Sequence, residues 1–390
     1  MSHKQHLPIH HLVDWLQGQL GEMTMLLERL VRLESPTDDP AAQEPIFGVL
    51  REELTTLGFR CHQRRGYACG GLLIAAPQRR VRHHPRQLLI GHTDTVWPRG
   101  TLAHMPWRVD QSRAYGPGVF DMKGGLVQLI FALRALAALS VEAGATPLIV
   151  VNSDEEIGSP ESGPTLAFLA RGADRVFVLE PALGDDGRLK TRRKGVGHFV
   201  LRVEGRAAHA GLEPERGANA IVELARLIGE IDGLNDRQRG ISVNVGLIEG
   251  GVRSNVVPPR AAAEIDARVS TQADAERISE ALAALRARTP GTSISLSGCF
   301  GRSPMEPTAG NQRLWDRAAA AALDLGLDLQ QAMAGGASDG NLTSLFAPTL
   351  DGLGAVGGGA HASDEFVRLD KMPERCALLA LLLSFPPLHG

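Results

Sequence analysis

Seven side chains, each in a distinctive local frame, have the types needed for acid–base and ligand chemistry. They are His92 and Asp94 in LLIGHTDTV, Asp121 in GPGVFDMKGG, Glu155 and Glu156 in VVNSDEEIGS, Glu180 in VLEP and His361 in GGGAHASDE. Together they offer two imidazoles, a carboxylate that can be shared, further carboxylate ligands and a spare glutamate. Such a set can hold two zinc ions around one water and move its proton. Histidine at a strand end with aspartate two residues on puts both side chains on one face, so one can bind a metal while the other orients it. Asp121 sits in a Gly/Pro-rich turn that leads into a helix, where the backbone can bend to present a carboxylate. Glu155 and Glu156 end the run PLIVV and point different ways, which leaves two roles open, a ligand and a free base. Glu180 ends another apolar run before Pro181, and a carboxylate there is costly to bury without a cation.

These residues lie far apart in the chain, so strand ends must bring them together. Apolar spacing predicts helices over 13–33, 43–57, 124–139 and 165–170, and buried strands over 71–75, 87–90, 147–151 and 175–179. Strands alternating with helices predict an α/β domain whose mixed, largely parallel sheet is sandwiched by helices. Sites in such sheets form beyond the carboxyl ends of the strands, where His92, Asp94, residues 152–156 and Glu180 fall. The pattern changes near Lys194. Strands from GHFVLRVEGRA and over 241–248, 261–269 and 292–297, with helices over 218–231 and 273–288, give the order βαββαβ of a ferredoxin-like unit. The expected division is a catalytic domain of residues 1–193 and 304–390 with a lid domain, 194–303, inserted in it. Helices over 312–325 and 373–383 follow, and the tail must return to the catalytic sheet if His361 is to join the set.

At 390 residues the chain exceeds one ordinary core, and 43 % hydrophobic with 22 % charged residues suits a soluble globular protein. A formal charge of −3 gives no support for a nucleic-acid partner. Cys61, Cys69, Cys299 and Cys376 form no CxxC pair, so neither a thiolate zinc site nor a disulfide framework is expected, and reduced thiols in a cytoplasmic protein are. The N-terminal segment shows no apolar leader core, and runs such as CALLALLLSF are too short to span a bilayer, so no membrane partner is expected. His10 and His11 read as surface residues. No Walker sequence or strand–GxGxxG–helix context is present.

In this order and with these flanks, the chain resembles the family of dinuclear zinc metallopeptidases. That family includes aminoacylases, acetylornithine deacetylases, succinyl-diaminopimelate desuccinylases and bacterial glutamate carboxypeptidases. The resemblance covers nearly the whole chain and is weakest over the first 60 or so residues. It implies that His92 and Glu180 hold one zinc, Glu156 and His361 the other, and that Asp121 bridges them. Cobalt or manganese could take the place of zinc. Asp94 would orient His92, Glu155 would be the general acid/base, and the Asp121–Met122 peptide would be cis. In the lid, His209 of GRAAHAG would help bind the developing charge of the scissile carbonyl, in dimeric relatives that of the neighbouring subunit. Asn255 of GGVRSNVVPP and Arg268 of EIDARVS would bind a substrate carboxylate and nearby polar groups. GGASDGN (335–341) and the glycines 357–359 also resemble segments near the site.

Within the family, glutamate at the position of Glu180 is common in deacylases and carboxypeptidases, and aspartate in aminopeptidases and dipeptidases. GPGVFDMKGG, SDEEIGS and GGASDGN look closest to the glutamate carboxypeptidase branch. The resemblance therefore implies a carboxypeptidase or N-acyl-amino-acid hydrolase acting on a small carboxylate-bearing molecule, as a homodimer joined through the lid. The enzymatic alternative is a dipeptidase or aminopeptidase. A non-catalytic binding protein on the same scaffold would be signalled by loss of Glu155 or of a ligand, and none is missing.

Overall fold

The computed structural model describes residues 9–79 and 83–388, so the first eight residues read for a leader lie outside it. The chain forms two compact units. One takes in the chain up to Thr191, Pro307–Met333 and everything from Ser338 on, and the other Arg192–Glu306 with Ala334–Ala337.

The first unit is built on a six-stranded sheet in the order Phe59–Arg64, Leu72–Pro77, Thr146–Asn152, Arg86–His92, Arg175–Val178 and Thr349–Leu350. The last four strands run parallel, and the first two join through antiparallel pairings. Alternation across the pleat sorts the side chains onto two faces. Leu73, Ala75, Leu89, Ile149, Val151 and Phe177 enter the larger core, whereas Leu72, Leu88, Ile90, Leu148, Val150 and Val176 enter a smaller one. The helices Gly124–Ala138 and Met372–Ser384 are apolar on nearly every side and lie buried in the larger core, as such helices must. Ile90 pairs with Val178 and His92 with Asn152, so the carboxyl ends of three parallel strands finish almost level. The sequence therefore presents His92, the residues after Asn152 and Glu180 along one edge.

Some elements differ from expectation. The helix over 13–33 is two helices, Ile9–Gly18 and Leu20–Val31, broken at Gln19 just after Gly18, a residue that disfavours helix by about 1 kcal/mol relative to alanine. The strand Phe59–Arg64 was not expected, because at the sheet edge only alternate residues face inward and its sequence FRCHQR is mostly polar. A second, four-stranded sheet is made of short pieces, Gly357–Gly358, Phe366–Arg368, Arg113–Tyr115 and Arg108–Asp110. Segments of two or three residues carry no periodicity to read.

The second unit has the βαββαβ order, with an antiparallel sheet ordered Ser242–Gly250, Arg260–Val269, Gly195–Glu204, Ser293–Arg302 and helices Ala220–Asp232 and Gln272–Ala283. Asn219 and Thr271 cap the helices by accepting the amides of Val222 and Asp274. Leu224, Leu227, Ile278 and Leu282 pack on Phe199, Leu201 and Ile265 of the sheet. The second helix stops at Ala283 rather than near 288. The chain turns away there so that the amides of Arg288 and Thr289 reach the buried carboxylate of Glu223.

Candidate active site

His92 is the last residue of its strand and is buried. Its Nδ1 lies 2.9 Å from the Asp94 carbonyl oxygen and 3.4 Å from Asp94 Oδ1. A ring nitrogen held against a carbonyl carries the proton, which leaves Nε2 as the lone-pair atom. That Nε2 faces Asp121 Oδ1 at 3.2 Å and Glu180 Oε1 at 3.5 Å. On the other side, His361 Nε2 faces Glu156 Oε2 at 3.2 Å and Asp121 Oδ2 at 3.6 Å. Two candidate ligand groups result, His92–Asp121–Glu180 and Asp121–Glu156–His361, with the ligand atoms of each within 4.8 Å of one another. Asp121 is the shared member, one oxygen towards each imidazole.

Local structure explains each placement. Asp121 lies in an irregular turn between Gly118, whose backbone is left-handed (φ 69°), and the helix that starts at Gly124; the Asp121–Met122 peptide is cis. Glu155 and Glu156 open a single 3₁₀ turn after the strand Thr146–Asn152, closed by Gly158. Asp94 fixes that turn to the His92 strand: its Oδ1 accepts the Glu155 amide at 3.3 Å and its Oδ2 the Glu156 amide at 3.2 Å. Glu180 follows its strand, and Gly354 passes so close that a Cβ there would stand 2.2 Å from the Leu179 carbonyl oxygen, so only glycine fits. His361 sits in the loop after Gly359 with φ 61°.

The electrostatics call for cations. Burial would lower the pKa of His92, yet the carboxylates of Asp121, Asp94 and Glu180 push it well above the ordinary histidine value. His361 is pushed up to about 9, chiefly by its bond to Glu156. Burial, reinforced by the Asp121 charge, raises the pKa of Glu156, and its Oε1 is buried with no hydrogen-bond partner. Three carboxylates converge on two imidazoles, with an orphaned carboxylate oxygen among them. Oxygen and imidazole nitrogen donors suit zinc, and also cobalt or manganese, so this donor set fits a pair of divalent ions.

Glu155 belongs to neither ligand group among the described residues. In the second unit, His209 and Asn255 lie on adjoining loops, linked by the Ala210 amide bonded to the Asn255 carbonyl at 3.0 Å. His209 Nδ1 accepts the amides of Gly211 and Leu212, both at 3.2 Å, which leaves Nε2 of the exposed ring to carry the proton of the neutral form. Arg268 forms a two-pronged pair with Asp266 on its own strand, at 2.8 and 2.9 Å, an engagement the sequence did not announce. Sequence reasoning also missed Thr37, whose hydroxyl donates to Asp94 Oδ2 at 2.9 Å, and Glu365, buried beneath the Asp121 turn. Thr37 lies in the stretch where the family resemblance is weakest, and nothing in ASDE distinguishes Glu365 from a surface acid.

Comparison with known proteins places the chain in a family. The family model described as Peptidase family M20/M25/M40 matches residues 88–384. Carboxypeptidase G2 of Pseudomonas sp. (strain RS-16) is 30 % identical over 364 residues, covering 92 % of this chain and 87 % of the relative. A succinyl-diaminopimelate desuccinylase of Dechloromonas aromatica is 27 % identical over 380 residues, covering 92 % and 97 %. Among solved structures, the YXEP protein of Bacillus subtilis, a dinuclear metal binding peptidase, superposes with a TM-score of 0.69 at 14 % identity, over 94 % of this chain and 98 % of that one. A matched family model and relatives aligned over nearly their full length, beside the histidine–carboxylate cluster of this chain, lead to one conclusion: this chain is a metal-dependent hydrolase of amide or peptide bonds and belongs to Peptidase family M20/M25/M40.

Proposed function

We propose that the enzyme cleaves the amide bond of an N-acyl amino acid, or the C-terminal peptide bond of a short peptide, and that the released amino acid carries its carboxylate free. The observation that carries this reading is the placement of Asp121 with one oxygen towards His92 and the other towards His361. In this reading His92, Asp121 and Glu180 hold one divalent ion, and Asp121, Glu156 and His361 hold a second. Zinc is the favoured metal. Bound there, the ions lower the pKa of water towards neutrality and polarise the scissile carbonyl.

The protein groups do the rest. Asp94 keeps the proton of His92 on Nδ1 and holds the Glu155–Glu156 turn beside it. Glu155 takes a proton from the attacking water and returns it to the leaving nitrogen, which would otherwise depart as an amide anion. His209 Nε2 donates to the oxygen on which negative charge develops. Arg268 and Asn255 bind the substrate carboxylate. For Arg268 this means sharing a guanidinium already paired with Asp266, which its five donors permit. The glutamate at position 180 and the relation to carboxypeptidase G2 and to desuccinylases support a deacylase or carboxypeptidase rather than a dipeptidase. The lid also joins two copies into a homodimer. A cytoplasmic location is part of the same proposal, and the cysteines among the described residues are free. No helix is long and apolar enough to cross a membrane among the described residues.

Metal analysis followed by assay on N-acyl amino acids, C-terminal-residue peptides and free dipeptides tests the reading. Two ions per chain and turnover of the first or second group are expected. Cleavage of free dipeptides alone would refute the substrate class.

A further inference from the structure

Beneath the turn that presents Asp121 lies a carboxylate with no role in the chemistry above. Glu365 is completely buried. Its Oε1 accepts the amides of Phe120 and Asp121 at 2.8 and 3.0 Å, and its Oε2 accepts the amide of Gly118 at 2.9 Å and the indole of Trp97 at 3.0 Å. A carboxylate has about four lone-pair positions, and four N–H donors fill them. Glu365 also stands four residues after His361 and closes that residue's loop by donating its own amide to the Ala362 carbonyl at 3.0 Å. One side chain thus ties the backbone that carries Asp121 to the loop that carries His361.

We infer that Glu365 is the positioning residue of the dinuclear site, fixing the separation of Asp121 and His361, and that the ion held by Asp121, Glu156 and His361 depends on it most. The inference rests on the ligand assignment proposed above. Its requirement is for an acceptor-only group. In Glu365→Gln the new NH₂ would face either the pair of amides at Phe120 and Asp121 or the Gly118 amide with the Trp97 indole. Two buried donors lose their acceptor in either orientation, and the turn must move.

The test is a cobalt titration of the metal-stripped, full-length protein, followed by visible absorption and calorimetry, with the steady-state constants of the reloaded enzyme. Wild type is expected to take up two equivalents; fewer would defeat the ligand assignment itself. Given two, Glu365→Gln is expected to bind the weaker equivalent about 10–100-fold less tightly. At saturating cobalt it is expected to lose kcat with little change in KM. Glu161→Gln is the control, because that carboxylate also anchors backbone amides, at Tyr67 and Ala68, in a loop without ligands. It should leave both equivalents unchanged. Wild-type cobalt affinity in Glu365→Gln, or an equal loss in Glu161→Gln, overturns the inference. If Glu365→Gln does not fold, Glu365→Asp decides: it keeps the charge but falls one methylene short of the amides, so wild-type cobalt affinity there is equally fatal.

Discussion

Replacing Asp94 by asparagine separates the orientation of the site from its ligands. The side chain is fully buried and coordinates nothing in the proposed scheme, and asparagine matches its size. Its Oδ1 accepts the Glu155 amide at 3.3 Å, while its Oδ2 accepts the Glu156 amide at 3.2 Å and the Thr37 hydroxyl at 2.9 Å. The Thr37 hydroxyl can rotate and accept instead. The backbone amides cannot, so either orientation of the new amide sets an NH₂ against one of them. A buried donor left without an acceptor costs about 1–3 kcal/mol. The cost falls on the turn that carries both the proposed base and a proposed ligand. If it appears in the transition state, it corresponds to a loss of about 5–150-fold in rate. The assay is kcat and KM on the best substrate of the acyl and peptide panel, with metal content and melting temperature measured on the same samples. The expected variant is folded, retains both ions when metal is saturating, and loses kcat by at least about fivefold. A variant with both ions and kcat within twofold of wild type would show that Asp94 does not set the geometry of the Glu155–Glu156 turn.

Other outcomes follow from the same structure. Glu155→Ala is expected to abolish turnover while leaving two ions bound, and normal turnover would remove Glu155 as the base. Arg268→Ala should chiefly raise KM for carboxylate-bearing substrates, and an unchanged KM would leave the guanidinium as a partner of Asp266 alone. Removal of metal by a chelator should abolish activity, and zinc or cobalt should restore it. In the second unit, burial would raise the pKa of Glu223, but Arg226 and the amides of Arg288 and Thr289 bring it down to about 2 against a reference value of 4.5. A depressed folded pKa gives stability that is fully present above the unfolded value and is lost as pH falls from there through about 2. That shift corresponds to stabilisation on the order of 3 kcal/mol. Denaturant unfolding should therefore separate wild type from Glu223→Gln at pH 7, and the gap should close in acid; a gap independent of pH down to 3 would contradict it.

Much of the site was legible because a parallel sheet converts a one-dimensional signal into proximity. PLIVV, QLLI and RVFV are apolar runs long enough to be recognised, and each is followed at once by chemistry-bearing residues. Once the strands are parallel and in register, their ends coincide. No knowledge of long-range contacts is needed to bring His92, Glu156 and Glu180 to one edge. His361 and Asp121 lie on irregular backbone, and their place became readable only through the family resemblance. The residues that anchor the Asp121 backbone and the Asp94 side chain were not readable at all. Glu365 meets the Asp121 amide across 244 positions, and Thr37 meets Asp94 across 57. An acid or a threonine that accepts or donates at such a distance has no local signature, since its partners are backbone amides or a distant carboxylate. The same limit explains the missed edge strand Phe59–Arg64 and the short strands flanking the Asp121 turn, where the pairing is set by neighbours rather than by periodicity. It follows that the candidate ligands of such a site are read from sequence more readily than the groups proposed to fix their geometry. If the positioning role inferred for Glu365 holds, those groups are where variants of the metal-dependent hydrolase differ in metal affinity and kcat while every candidate ligand is retained.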